Sequence, residues 1–222
     1  MRARGLALVG AVCFASLAMG QTFGELSAAQ AARLAELRPE SVAIGRGNDK
    51  LAIRGGDLGR FDASIPAVEN LRRLIAHLGV LHDAARTAEF SVIEQRPTYL
   101  KFVQLIGGVP VSGRIEVDLS SDGRVLEARL SVVDPARAPK AQPITRERAL
   151  QIASRASATE AGVAEADVQI EDESGLTYKP APLGEPLKLQ YRFVAQTATR
   201  GSDYVTVDAL SGTVDVAPAA IP

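Results

Sequence analysis

Two stretches of the chain constrain its fold more than any others. Residues 116–128 read EVDLSSDGRVLEA and residues 206–217 read TVDALSGTVDVA, each a strand, a tight turn and a second strand, with Asp118 in one answering Asp208 in the other. Alternation of apolar and polar side chains with period two marks a strand that is dry on one face and wet on the other. Over 113–119, Ile115, Val117 and Leu119 share one face and Arg114, Glu116 and Asp118 the other. Over 124–132, Leu126, Ala128, Leu130 and Val132 alternate with Glu127, Arg129 and Ser131. Gly107-Gly108, Ser121-Asp122-Gly123 and Ser211-Gly212 supply turns, because Gly and Asp accept the positive φ that tight hairpins need. The first copy is therefore expected to form a three-strand antiparallel meander.

Helical spacing precedes each copy. Ser64, as cap, opens a segment in which Val68, Leu71, Leu74, Ile75 and Leu78 form one apolar face, and Gly79 offers a left-handed stop. Thr145 opens a second, with Ala149, Ile152, Ala153 and Ala156 on one face. A further short helix runs over residues 27–38, capped by Ser27 and closed by Pro39, and residues 40–63 read as a hairpin with irregular ends. After the second long helix come an edge strand at 167–171, a Pro-rich turn around Pro180, Pro182 and Pro186, and LKLQYRFVA, which points Leu187, Leu189, Tyr191 and Phe193 inward. Helix, strands and closing hairpin thus occur twice. The expected class is α+β, in two units that each pack a helix on an antiparallel sheet. The three prolines of residues 134–143 mark the boundary between them.

Residues 1–20, MRARGLALVGAVCFASLAMG, place Arg2 and Arg4 ahead of an apolar run and small residues before Gln21, the layout of a cleavable export signal cut near Gly20. Its removal deletes two Arg, no acid and the single cysteine, leaving a chain two charges more acidic than the formal −1 and without any disulfide. A secreted or periplasmic protein held by core packing alone is expected, with no transmembrane segment in the mature chain. With 46% hydrophobic and 23% charged residues the chain belongs among globular proteins, and its slightly acidic balance argues against a nucleic-acid partner.

The segment YLKFVQLIGGVPVSGRIEVDLSSDGRV resembles the fungalysin/thermolysin propeptide (FTP) motif, through Lys101, Phe102, Gln104, Gly108, Val109, Pro110, Val111, Gly113, Asp122 and Gly123. ITRERALQIASRA, LKLQYRFVA and YVTVDALSGTV resemble a PepSY domain. The two together cover about residues 40–218 and divide the chain, after the N-terminal helix region at 21–39, into an FTP-like unit at 40–134, a linker at 135–143, a PepSY-like unit at 144–218 and a tail at 219–222. Ser112 stands where the family commonly has an aromatic, and Thr98 or Tyr99 where it often has His. In that family the propeptide folds and blocks its own metallopeptidase. No peptidase sequence follows Pro222 here, so the resemblance implies a stand-alone protein acting in trans as inhibitor, folding chaperone or both, with no cofactor. The alternative is a non-catalytic envelope adaptor or ligand-sensing module. The implied partner contacts are Tyr99, Lys101, Gln104, Gly108, Val109, Pro110 and Val111, with the 178–186 loop or the Pro222 tail as added surface.

Motifs for chemistry are missing from the sequence. His77 and His82 are five residues apart, on different faces of a helix, whereas a zinc peptidase sets two His one turn apart with a Glu between. Asp118 and Asp122 in DLSSDG lack the carboxylate ladder of a calcium loop and read as polar turn residues, as does Asp208. No G-x-S-x-G or S-x-x-K occurs, and no cysteine lies beyond Cys13. The expectation is a protein without enzymatic activity. GGVPVSG, with Pro110 offering no donor, reads either as a shaped turn or as an edge that pairs with a partner strand.

Overall fold

The computed structural model describes residues 26–219 except Arg46, Asn48 and Leu183. The export signal and the Pro222 end of the tail lie outside the described residues. Among the described residues three helices, α1 (Ala28–Leu37), α2 (Ala67–Leu78) and α3 (Arg146–Ala161), pack on two antiparallel sheets. The first sheet contains β1 (Ser41–Ile44), β2 (Lys50–Arg54), β3 (Glu89–Arg96), β4 (Tyr99–Ile106), β5 (Val109–Pro110), β6 (Ile115–Leu119) and β7 (Val125–Ser131), in the order β1-β2-β7-β6-β4-β3 with β5 paired to β4. The second contains β8 (Gln169–Lys179), β9 (Lys188–Thr197), β10 (Gly201–Asp208) and β11 (Val214–Pro218), in the order β11-β10-β9-β8.

The duplication is visible in this order. α2 is followed by β3, β4, β6 and β7, α3 by β8 to β11, and each set lies in its sheet as fourth-third-second-first. The hairpins at 116–128 and 206–217 are the closing pair of each set. The first set differs from the expected three-strand meander by β3, and the 40–63 hairpin becomes β1 and β2, which extend the sheet because β2 pairs with β7.

Local chemistry explains most helix ends. Ser27 and Gln30 form a reciprocal capping box on α1, Thr145 accepts from the Arg148 amide on α3, and Gly79 ends α2 at φ 66°. Ser64 does not cap α2. Pro66 occupies the cap position, and the Ser64 amide and hydroxyl both donate to Asp62 Oδ1 at 2.8 and 2.6 Å. Asn70 secures that entry instead, accepting from the Asp62 amide and donating to the Asp62 and Ile65 carbonyls.

One face of each sheet is covered. Leu71, Leu74, Ile75 and Leu78 of α2 bury against Phe102, Ile115, Val117, Ala128 and Leu130, and Ala149 and Ala153 let α3 approach Tyr191, Phe193, Val205 and Val207 closely. At roughly 25 cal/mol per Å² of apolar surface removed from water, these two clusters are the main stabilising term of a chain with no covalent staple. The inward set Leu187, Leu189, Tyr191 and Phe193 is buried as its alternation implies. Leu126 is the exception on β7: a register shift pairs Leu119 with Val125, so Val125 turns inward and Leu126 stands 40% exposed.

Candidate protein-docking surface

β4 positions most of the residues singled out from the sequence, and its two faces have different uses. Leu100 and Phe102 point into the first core and Gln104 is buried on the same side, whereas Tyr99, Lys101, Val103 and Leu105 alternate onto the opposite face, which none of the described helices covers. Gly107 and Gly108, at φ 57° and 80°, close a two-residue turn so that Val109 pairs with Ile106 and Pro110 with Leu105.

At Val111 the chain touches both sheets. The Val111 amide donates to the Gln104 carbonyl at 2.8 Å, the Ser112 amide donates to the Tyr178 carbonyl at 2.7 Å, and Val111 forms a parallel bridge with Tyr178 on β8. β5 and β6 thus behave as one strand interrupted at 111–114, with the interruption reaching the second sheet. Val111 is buried in the second core, where half-buried Ile106 and Val109 join it. Gln104 is 1% exposed; its Nε2 donates to the Val133 carbonyl at 2.8 Å and its Oε1 accepts from the Val133 amide at 2.9 Å.

Two of the implied contact residues, Gln104 and Val111, are buried in this arrangement. Gln104 and Val111 are committed to the chain's own joint, because an unpaired buried peptide and an exposed valine both cost more than their closure. Pro110 and Val109 are half-buried beside it, and both glycines of the turn, Gly107 and Gly108, are exposed. The boundary is also firmer than its composition implies. Arg137 Nη2 donates to the carbonyls of Ala181, Pro182 and Glu185 at 2.7, 2.7 and 2.9 Å, and the Leu187 amide returns to the Arg137 carbonyl at 2.9 Å. The 178–186 loop is thereby pinned to the linker.

Tyr99 and Lys101 remain on the open face of the first sheet. Strand register sets them in two rows: Arg96, Tyr99, Asp118, Glu127 and Arg54 in one, Glu94, Lys101, Glu116, Arg129 and Ala52 in the other. Acids and bases alternate along the second, from Glu94 to Arg129, while the first sets Asp118 and Glu127 side by side between Arg96 and Arg54. Glu116 lies 3.5 Å from Arg114 Nε and 3.7 Å from Arg129 Nη1, while Glu127 pairs with Arg129 and Glu94 with Arg96. Desolvation by burial, then the charges of Glu116, Glu94 and Asp118, push the Tyr99 hydroxyl above its ordinary value, so it stays a neutral donor. Such a face offers lateral charge pairs and a tyrosine for contact; it holds no converging nucleophile and base.

At the end of this sheet, Arg60, Phe61, Asp62, Asn70, Arg96 and Asp122 border an open cleft of about 890 Å³ that sequence reasoning missed, because 60–70, 95–100 and 119–123 meet there only in the fold. Its carboxylates organise local turns. Asp122 accepts from Ser120 Oγ and from Arg60 Nη2 at 2.6 Å. Asp208, in the matching turn of the second sheet, accepts from the amides of Leu210 and Ser211 and from the Ser211 hydroxyl. His77 and His82 serve separate backbone contacts: His77 Nε2 meets the Asp57 carbonyl while Arg33 donates to its Nδ1, and His82 Nε2 meets the Val132 carbonyl. Among the described residues no group of three or more His, Cys, Asp or Glu is placed to hold a metal ion, and no helix is long and apolar enough to cross a membrane.

No family model matches the chain, and no curated protein matches it at a significant level.

Proposed function

We propose that the protein is an exported, stand-alone, propeptide-like binder of a secreted metallopeptidase, acting on it in trans as inhibitor, folding chaperone or both. The observation that carries this reading is the joint. The segment GGVPVSG, part of the stretch that resembles the FTP motif, supports this reading by reaching the second sheet through the Val111–Tyr178 bridge. A scaffold of this kind leaves a charged sheet face free of the described helices, with Tyr99 and Lys101 on β4, one strand in from the β3 edge.

Recognition of another protein needs about 1,200–2,000 Å² of buried surface in total. Arg96 belongs both to the open face and to the rim of the cleft, so the two adjoin. Alternating charges favour specificity and rate of encounter over raw affinity, which suits a partner that must be released.

Chemical cross-linking in the native exported fraction, followed by capture through this protein, tests the reading. Recovery of a metallopeptidase linked through Lys101 is the expected result. Recovery of only cell-wall or membrane components would point to an envelope adaptor instead.

A further inference from the structure

We infer that the protein forms a two-fold symmetric dimer in which β3 of one copy adds antiparallel to β3 of a second copy, joining the two large sheets. β3, EFSVIEQR, is one of the two edge strands of the seven-stranded sheet, and among the described residues no strand pairs with its outer side. Val92 and Ile93, 38% and 57% exposed, lie side by side at its middle. An uncovered, apolar edge strand is a ready template for pairing.

The register within β3 selects a second copy as the occupant. Ser91 pairs with Val103 and Val92 with Phe102, after which the ladder skips Ile93 and resumes at Glu94 opposite Lys101. This bulge shifts the phase by one residue, so Glu89, Ser91, Glu94 and Arg96 share one face while Phe90, Val92 and Gln95 share the other. In an antiparallel pair related by a two-fold axis through the bulge, Glu89 meets Arg96 of the other copy, Phe90 meets Gln95 and Ser91 meets Glu94. Each of these pairs joins residues of the same face and the same hydrogen-bonding phase. In a regular eight-residue strand this register would set opposite faces against each other, so the bulge, often a device that blunts an edge, here permits it. Registers that leave the bulge off the axis break the phase. The allowed one also matches charge: Arg96, flanked by Glu94 on its own strand, gains Glu89 of the second copy, twice per dimer. Val92 and Ile93 of both copies then cover one another at the axis.

Sedimentation velocity of the purified protein over a range of micromolar concentrations tests this inference, with circular dichroism to confirm folding of each variant. The wild type is expected to populate a dimer. Ile93→Lys, at an exposed position, is expected to leave a folded monomer. Glu89→Arg, which sets a second guanidinium against Arg96 of the other copy, weakens the dimer several-fold, and the swap Glu89→Arg/Arg96→Glu restores it. A wild type that stays monomeric throughout, a dimer indifferent to Ile93→Lys, a double swap no better than the single change, or a β3 edge that takes up an unrelated strand in preference to its own copy would each overturn it.

Discussion

Gln104 holds Val133 as a neighbouring strand would: its side-chain amide donates to the Val133 carbonyl and accepts from the Val133 amide, both within 2.9 Å and both buried. The peptide at 133 is where the chain leaves β7 for the second sheet, and it has no strand partner of its own. Gln104→Leu removes both bonds while filling the space. Each buried group left unpaired costs about 1–3 kcal/mol, so urea unfolding is expected to show a loss of that order or larger. A loss within about 0.5 kcal/mol, the range of an ordinary surface change, would mean that Val133 finds other partners.

Arg137 is expected to control the stiffness of the linker. Its guanidinium reaches three carbonyls of the β8–β9 loop, a fork that a lysine ammonium does not reproduce. Limited proteolysis of Arg137→Lys is expected to cut faster within residues 135–143 and 180–186 than in the wild type, with unchanged cutting elsewhere. Equal rates would show that the loop is held by other means.

The Asp208 turn should register as a pH effect. Burial of this carboxylate opposes ionisation, but the Ser211 amide and hydroxyl and the Leu210 amide prevail and hold its pKa below the ordinary 3.8. A group depressed on folding stabilises fully above its unfolded pKa and loses that contribution as pH falls through the folded value. Asp208→Asn keeps an acceptor oxygen and removes the charge. The stability gap between wild type and variant is therefore expected to be widest near neutral pH and to shrink as pH drops below 3.8. A gap independent of pH would contradict the assignment.

Tyr99 reports on the open face from the alkaline side. Desolvation and the carboxylates of Glu116, Glu94 and Asp118 raise it above 10.0, so its neutral form is favoured in the fold. Its stabilising contribution is present below that value and is lost as pH rises through the folded pKa. In a spectroscopic titration, with Tyr99→Phe identifying the signal, Glu116→Gln is expected to lower the Tyr99 midpoint. An unmoved midpoint would mean that burial alone sets it.

Where a structural signal is local, it was legible in the residues. Leu187, Leu189, Tyr191 and Phe193 alternate without interruption and lie buried as read, and Ser27, Thr145 and Gly79 mark helix ends by chemistry that acts within a few positions. Bulges removed that legibility elsewhere. Ile93 breaks the alternation of β3, so residues 89–96 carried no strand signal, and the shift beside Leu119 turned Leu126 outward. Partners far along the chain were equally invisible. Nothing near Gln104 announces Val133, and nothing near Val111 announces Tyr178 on the other sheet. The residues around Gln104 and Val111 carry no local sign of these partners, which lie 29 or more positions away in the same chain.

Titration of the purified protein into a thermolysin-like metallopeptidase, with proteolysis and refolding yield of the denatured peptidase followed in parallel, tests the proposed function most directly. The predicted result is saturable loss of proteolysis or a higher refolding yield at equimolar protein, with either effect weakened by Lys101→Glu. Unchanged proteolysis, unchanged refolding and no complex at any ratio would contradict it.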